Sequence, residues 1–235
     1  MYQYQGLQDI FFIMLYGMAG FFALLAGMYL LLRRGNAFAA DVRSSRVLRR
    51  LTAAFMAVIV ASHVWWYVIG IYWLADDRLV RNIINIVLDY TTLIPMVMAV
   101  LLAMLQDRRR LIWPWLLAQV PIVVAAVVGI VNRSTFWGYE FTHYWQVAVI
   151  LVFVIYYIFA LRKYGRWLLD NYADLECKEV WQSMAFMIVL LVVYIAYTSN
   201  AGELMREYLS QVITIAIIAF LLWRVETLQE LETEL

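Results

Sequence analysis

Residues 10–34 read IFFIMLYGMAGFFALLAGMYLLLRR. A long uncharged, almost wholly apolar run ends on two adjacent arginines, Arg33 and Arg34. Wound as an α-helix, such a run crosses the roughly 30 Å of hydrocarbon in a bilayer, which takes about 20 residues. Six further apolar runs follow, so the spans are expected at Ile10–Leu32, Leu51–Leu74, Ile83–Leu105, Leu111–Val131, Trp145–Leu161 (starting nearer Phe141), Trp181–Ser199 and Leu209–Trp223. None alternates apolar and polar residues with period two, as the strands of a membrane barrel do. The expected fold is an all-α membrane protein, a seven-transmembrane-helix bundle over residues 1–223, with a cytoplasmic helical extension at 224–235.

The composition agrees with that reading. Of 235 residues, 66% are hydrophobic and 15% charged, whereas soluble domains run near 45–50% apolar with about a quarter charged. A balance of 18 basic against 17 acidic residues leaves no basic footprint for nucleic acid. A single cysteine, Cys177, excludes an internal disulfide and a cysteine-rich metal site.

Loop arginines and lysines orient the bundle, because cytoplasmic loops retain positive charge. The loops after the first, third and fifth spans and the tail hold 14 of the 18 Lys and Arg residues; the opposite side holds Arg78, Arg81, Arg133 and Arg206. The N-terminus is therefore expected outside and the C-terminus in the cytoplasm. The opening residues have no basic region and no small-residue cleavage site, so the first span reads as a retained helix.

Polar side chains inside spans are costly, and their positions carry information. Asn82, Asn85 and Asp89 share one face of the third span at i, i+3 and i+7. His63 lies near the middle of the second span with Tyr67 one turn outward. Tyr194, Tyr197 and Thr198 share a face near the outer end of the sixth, and Glu207, Gln211 and Thr214 open the seventh. Glu140 and His143 precede the fifth. These groups gather in the outer half, while the inner halves of the first, third and seventh spans are almost purely apolar. That asymmetry predicts a pocket open to the outside and sealed within, built from the second, third, sixth and seventh spans with Asp89 at its floor. Asp89 needs a partner, a proton or water; His63 is available, although taken alone it reads as a packing histidine. The bland account of the same groups is interhelical hydrogen bonding, worth roughly 0.6 kcal/mol each. A solute transporter or channel is the alternative to a sensor, and would want polar lining through both leaflets.

Several chemistries lack their residues. Lys163 and Lys178, the only lysines, lie in the fifth loop, so no retinal Schiff base forms in the last helix. The two histidines, His63 and His143, have no H-E-x-x-H context, and no nucleophile or phosphate-binding motif appears. Neither catalysis nor a cofactor nor a metal site is expected.

Past Trp223 the chain reads RVETLQELETEL. Leu221, Leu228 and Leu235 are seven apart, with Leu231 between them and glutamates around, the start of a heptad seam. Nothing else in the chain offers a matching stripe, so the seam predicts a homodimer that relays a signal through the last helix. The fifth loop reads RWLLDNYADLECKEVWQS over 166–183. It closely resembles a stretch found in Gram-negative bacterial membrane-bound AraC-type helix-turn-helix regulators, and the likeness continues loosely through the last helix; over the first four spans it is topological only. The resemblance implies a membrane input module in a bacterial inner membrane, perceiving an unidentified small ligand and passing the signal to a cytoplasmic output domain. That domain is absent from this chain, so DNA binding is not implied for it. The 166–183 segment itself, mixed in charge and amphipathic, reads as a contact surface for the output domain or a second subunit.

Overall fold

The computed structural model describes residues 7–33, 43–69, 74, 76–173, 175, 178–198 and 203–231, with the side chains of 7–9, 190, 193–198 and 203–207 outside that description. The regular structure among the described residues is helical, without a strand: α1 (Leu7–Leu32), α2 (Arg46–Tyr67), α3 (Arg78–Met104), the short α4 (Trp113–Leu117), α5 (Val120–Val131), a π-helical turn (Phe136–Phe141), α6 (Thr142–Asn171), α7 (Trp181–Thr198) and α8 (Glu203–Thr227).

Among the described residues, six helical segments are long and apolar enough to cross a membrane: Ile10–Leu32, Arg46–Tyr67, Arg78–Met104, Trp113–Val131, Phe136–Asn171 and Tyr208–Thr227. The seventh expected span coincides with α7, part of whose side chains lie outside the description. Two boundaries differ from expectation. The second helix starts at Arg46 and ends at Tyr67, so it carries three arginines on its first turns. The fifth expected span continues well past Leu161 through Arg162, Lys163 and Arg166, because Tyr157, Ala160, Tyr164 and Leu168 keep one buried stripe going past the end of the apolar run.

The outward faces are apolar. On α1, Phe11, Met14, Met18, Phe21, Leu25 and Met28 follow one another at helical spacing, all exposed. A continuous stripe of that size has no place in water, and in a bilayer it meets acyl chains. The opposite face of α1 is small: Ala19, Ala23, Ala26 and Gly27 press against α2, and a Cβ on Gly27 would lie 3.3 Å from the Met56 Cβ. Lipid tails are as apolar as leucine, so such close backbone approach supplies the dispersion contact that joins these helices.

The packed core sits toward the arginine-rich end, where Leu48, Met56, Met98, Leu105, Ile218 and Leu221 are fully buried. At the other, aromatic end the contacts are tighter and local. The side chain of Asp77 caps α3 by accepting from the Val80 amide (3.2 Å) and pairs with Arg133. Those two partners hold the Asp77 carboxyl below the usual carboxylate range. Nearby, α5 meets the π-helical turn through glycine. A Cβ on Gly129 would fall 2.7 Å from the Gly138 nitrogen and 2.8 Å from its Cα. Backbone atoms cannot swing aside, so Gly129→Ala is expected to destabilise the protein by about 1–3 kcal/mol, the usual cost of overpacking. Gly138→Ala meets only the flexible end of Ile83 and should cost less. Thermal unfolding of the two variants in detergent orders them; equal midpoints would show that this junction is looser than drawn.

Candidate functional site

Helix α2 aims Ser62, Trp65 and Trp66 at one point of α3, the carboxylate of Asp89. Ser62 Oγ donates to Oδ1 at 2.6 Å, Trp65 Nε1 to the same oxygen at 3.2 Å, and Trp66 Nε1 to Oδ2 at 2.7 Å. The spacing i, i+3, i+4 places the three donors on one face of α2, so a single helix rotation serves all of them. Asp89 thus takes neutral donors from the neighbouring helix and no hydrogen bond from His63. A carboxylate inside a span persists only with such company.

His63 turns the other way, toward α1 and α8. Its Nδ1 lies 2.9 Å from the Ile59 carbonyl and its Nε2 3.1 Å from Gln211 Oε1, while Tyr16 donates to the His63 carbonyl at 2.6 Å and sets its ring, tilted by 44°, 4.4 Å from the imidazole. A neutral imidazole donates through one nitrogen only, so a neutral His63 requires the Gln211 amide to turn its NH₂ toward the ring. In the orientation observed Gln211 Nε2 donates to Ser210 Oγ at 3.2 Å; with the amide turned, its oxygen would accept from the Ser210 hydroxyl instead.

Below these groups, toward the arginine-rich end, lies a half-enclosed cavity of about 300 Å³. Its walls come from α2 (Phe55, Ile59), α3 (Leu93 to Leu101), α6 (Ile150, Phe153, Val154), α7 (Met187, Leu191) and α8 (Ile213, Ile217). Ser62, His63, Ser210 and Thr214 form its polar rim. Pro95, inside α3, removes a ladder hydrogen bond at this level. A half-open space of this size is large enough to take an acyl chain or a small ligand.

Of the residues expected at a pocket, His63 and Gln211 meet each other, while Asp89 belongs to a separate set with Ser62, Trp65 and Trp66. Asn85 shares the Asp89 face of α3 but is fully buried, and neither its Nδ2 nor its Oδ1 meets a protein partner. Asn82 stays at the helix end, where its Oδ1 accepts from Arg81 Nε at 3.3 Å. Tyr67 is half exposed and does not line the cavity. The side chains of Tyr194, Tyr197 and Glu207 lie outside the described residues. The cavity among the described residues differs from the expected polar pocket with Asp89 at its floor. Asp89 stands behind Ser62, and the space itself is apolar and walled in addition by α6. The missed partners had a signal, two adjacent tryptophans one turn beyond a serine, but apolar cavities leave none, because their lining looks like any core.

A second cluster closes the arginine-rich end. Arg49 and Glu226 form a buried ion pair at 2.6 Å, and Arg49 Nη2 also donates to the Arg33 carbonyl at 2.8 Å. Arg224 Nη2 donates to the Glu179 carbonyl at 2.6 Å. Helix α8 stops at Thr227 and the chain turns back along the bundle. There Gln106 Nε2 donates to the Gln229 carbonyl at 2.9 Å, the Leu231 amide donates to Gln106 Oε1 at 2.8 Å, and the Glu230 amide donates to the Arg43 carbonyl at 2.7 Å. A side-chain amide here plays the part of a neighbouring strand for an extended segment. The expected exposed heptad seam is corrected accordingly. Leu221 and Leu228 are fully buried and Leu231 is 6% exposed, all inside this chain's own core, and Leu235 lies outside the described residues. Burial in cis removes the argument that unpaired leucines call for a second copy.

The 166–183 segment contributes to the same end. Leu168, Val180 and Ser183 are buried, Tyr157 and Ser183 share a 2.7 Å hydrogen bond, and Tyr164 donates to the Lys178 carbonyl at 3.1 Å. Leu168, Lys178, Val180 and Ser183 of the expected contact surface therefore pack inward, while Arg166, Leu169, Asp170, Asn171, Ala173, Glu179 and Trp181 remain exposed. No group of three His, Cys, Asp or Glu side chains gathers as a metal site among the described residues. Comparisons with protein-family models, curated proteins and solved structures found no match to this chain.

Proposed function

We propose that this chain is a membrane-embedded sensory module with seven spans, its arginine-rich end in the cytoplasm, in which occupancy of the cavity beneath Asp89 and His63 is passed along α8 to the segment after Thr227. The observation that carries this reading is the double role of α8. It lines the cavity with Ser210, Ile213, Thr214 and Ile217, and about two turns further on supplies Arg224 and Glu226 to the buried knot that holds residues 228–231. A change in the cavity that rotates or slides α8 therefore acts directly on contacts at Arg49 and Gln106. The positive-inside bias supports the orientation. The likeness of residues 166–183 to AraC-type membrane regulators supports a bacterial inner membrane and a cytoplasmic output domain as receiver. A transport path is less well supported, since Phe55, Met98 and Leu101 line the cavity toward the arginine-rich end with no polar continuation.

Filling the cavity from a helix other than α8 tests the relay. Ile150→Trp on α6 should change amide hydrogen exchange at residues 228–231 at least tenfold in the full chain held in lipid nanodiscs. Unchanged exchange there, with the bundle still folded, would leave the relay without support.

A further inference from the structure

The hydrogen-bond polarity of the cavity rim defines a ligand class, and this step rests on the sensory reading of the same cavity. Ser62 spends its single proton on Asp89 Oδ1 (2.6 Å), and Thr214 spends its own on the Ser210 carbonyl (2.8 Å). Each hydroxyl oxygen keeps acceptor lone pairs and has no proton left to give. Both residues line the cavity. The remaining rim groups are already engaged: His63 meets Ile59 and Gln211 through its two nitrogens, and Ser210 Oγ shares a hydrogen bond with the Gln211 amide whose direction follows from the way that amide is turned. Asp89 takes three donors and stands outside the lining. Among the described residues that line the cavity none presents a carboxylate to a cationic end, and Ser62 and Thr214 present acceptors where an anionic end would need donors. We propose that the cavity binds an uncharged amphiphile with one aliphatic chain and a terminal hydrogen-bond donor, a fatty alcohol in its simplest form.

Its length follows from the helices. From Ser62 to Phe55 on α2 is about 10 Å at 1.5 Å per residue. At about 1.25 Å per methylene in an extended chain, that length takes about eight to ten carbons, which a cavity of about 300 Å³ has room for. Because bilayer chains are as apolar as this lining, the tail alone gives little preference for the cavity over the membrane. Selection falls to the rim, which favours a donor over a group that only accepts.

The test uses the full chain in nanodiscs and radiolabelled 1-decanol, with saturable binding separated from bilayer partition. Unlabelled 1-decanol is expected to compete, decyl methyl ether (an acceptor of the same length) at least tenfold less well, and decanoate and decyltrimethylammonium not measurably. Leu93→Trp should abolish the saturable component, and Thr214→Val should weaken the alcohol about tenfold while leaving the ether unchanged. Absent saturable binding, or an ether as effective as the alcohol on the unaltered protein, overturns the ligand class without recourse to any variant. Amide exchange at 228–231 separates the two readings. Saturable decanol binding with unchanged exchange defeats the relay and keeps the site. Exchange that responds to Ile150→Trp while decanol does not bind defeats the ligand and keeps the relay.

Discussion

Glu226→Ala is expected to destabilise the bundle by about 3–5 kcal/mol, because it strands the buried Arg49 guanidinium in a site where charge is tolerated only in a pair. The loss should be local before it is global. Arg49 still donates to the Arg33 carbonyl, but nothing replaces Glu226, the anion 2.6 Å from Nη1. Exchange protection at 228–231 should fall first, since that segment is held by Gln106 and the Arg43 carbonyl on the same side of the knot. Replacing both partners, as Arg49→Met with Glu226→Leu, should recover most of the stability, because it is the unpaired charge and not the missing bridge that costs. Chemical unfolding in detergent of the two single variants and the double variant gives the coupling energy. A double variant as unstable as Glu226→Ala would mean that the pair contributes through its attraction, against this account.

Asp89→Ala is the second large effect, about 2–4 kcal/mol. It removes the acceptor of Ser62, Trp65 and Trp66 together, and each donor left buried without a partner costs roughly 1–3 kcal/mol, discounted here because the two indoles are only partly buried. Asp89→Asn keeps one oxygen and turns an NH₂ toward one of the donors, so it should cost about 1–2 kcal/mol and leave the fold intact. Tryptophan fluorescence adds a local readout, since both indole N–H groups lose their anion in either variant. If the alanine variant matches the native protein in midpoint and emission, Asp89 is not the seat of these three helix-to-helix bonds.

Much of the architecture was legible along the chain, and for a reason peculiar to membranes. Hydrocarbon permits only segments that satisfy their own backbone, so a run such as 10–32 announces a helix without reference to any other part of the protein. The polar groups were half legible. Asp89, His63 and Gln211 stand out because each is expensive where it lies, yet cost identifies a residue and not its partner. Ser62, Trp65 and Trp66 carry no such cost, and they become donors only once α2 is rotated against α3.

The tail shows the same division more sharply. Leu221, Leu228 and Leu231 are all buried, as apolar residues in this pattern should be, but the helix ends at Thr227 and the expected helical extension with its heptad stripe does not form over 228–231. What these leucines pack against is a non-local matter. Thr227 ends the helix, Arg49 draws in Glu226, and Gln106 holds the returning backbone. A one-dimensional pattern records that leucines must leave water, and it is silent on whether a second copy or the chain's own core receives them. That choice rests on contacts between residues more than a hundred positions apart, and only the packed tertiary structure contains them.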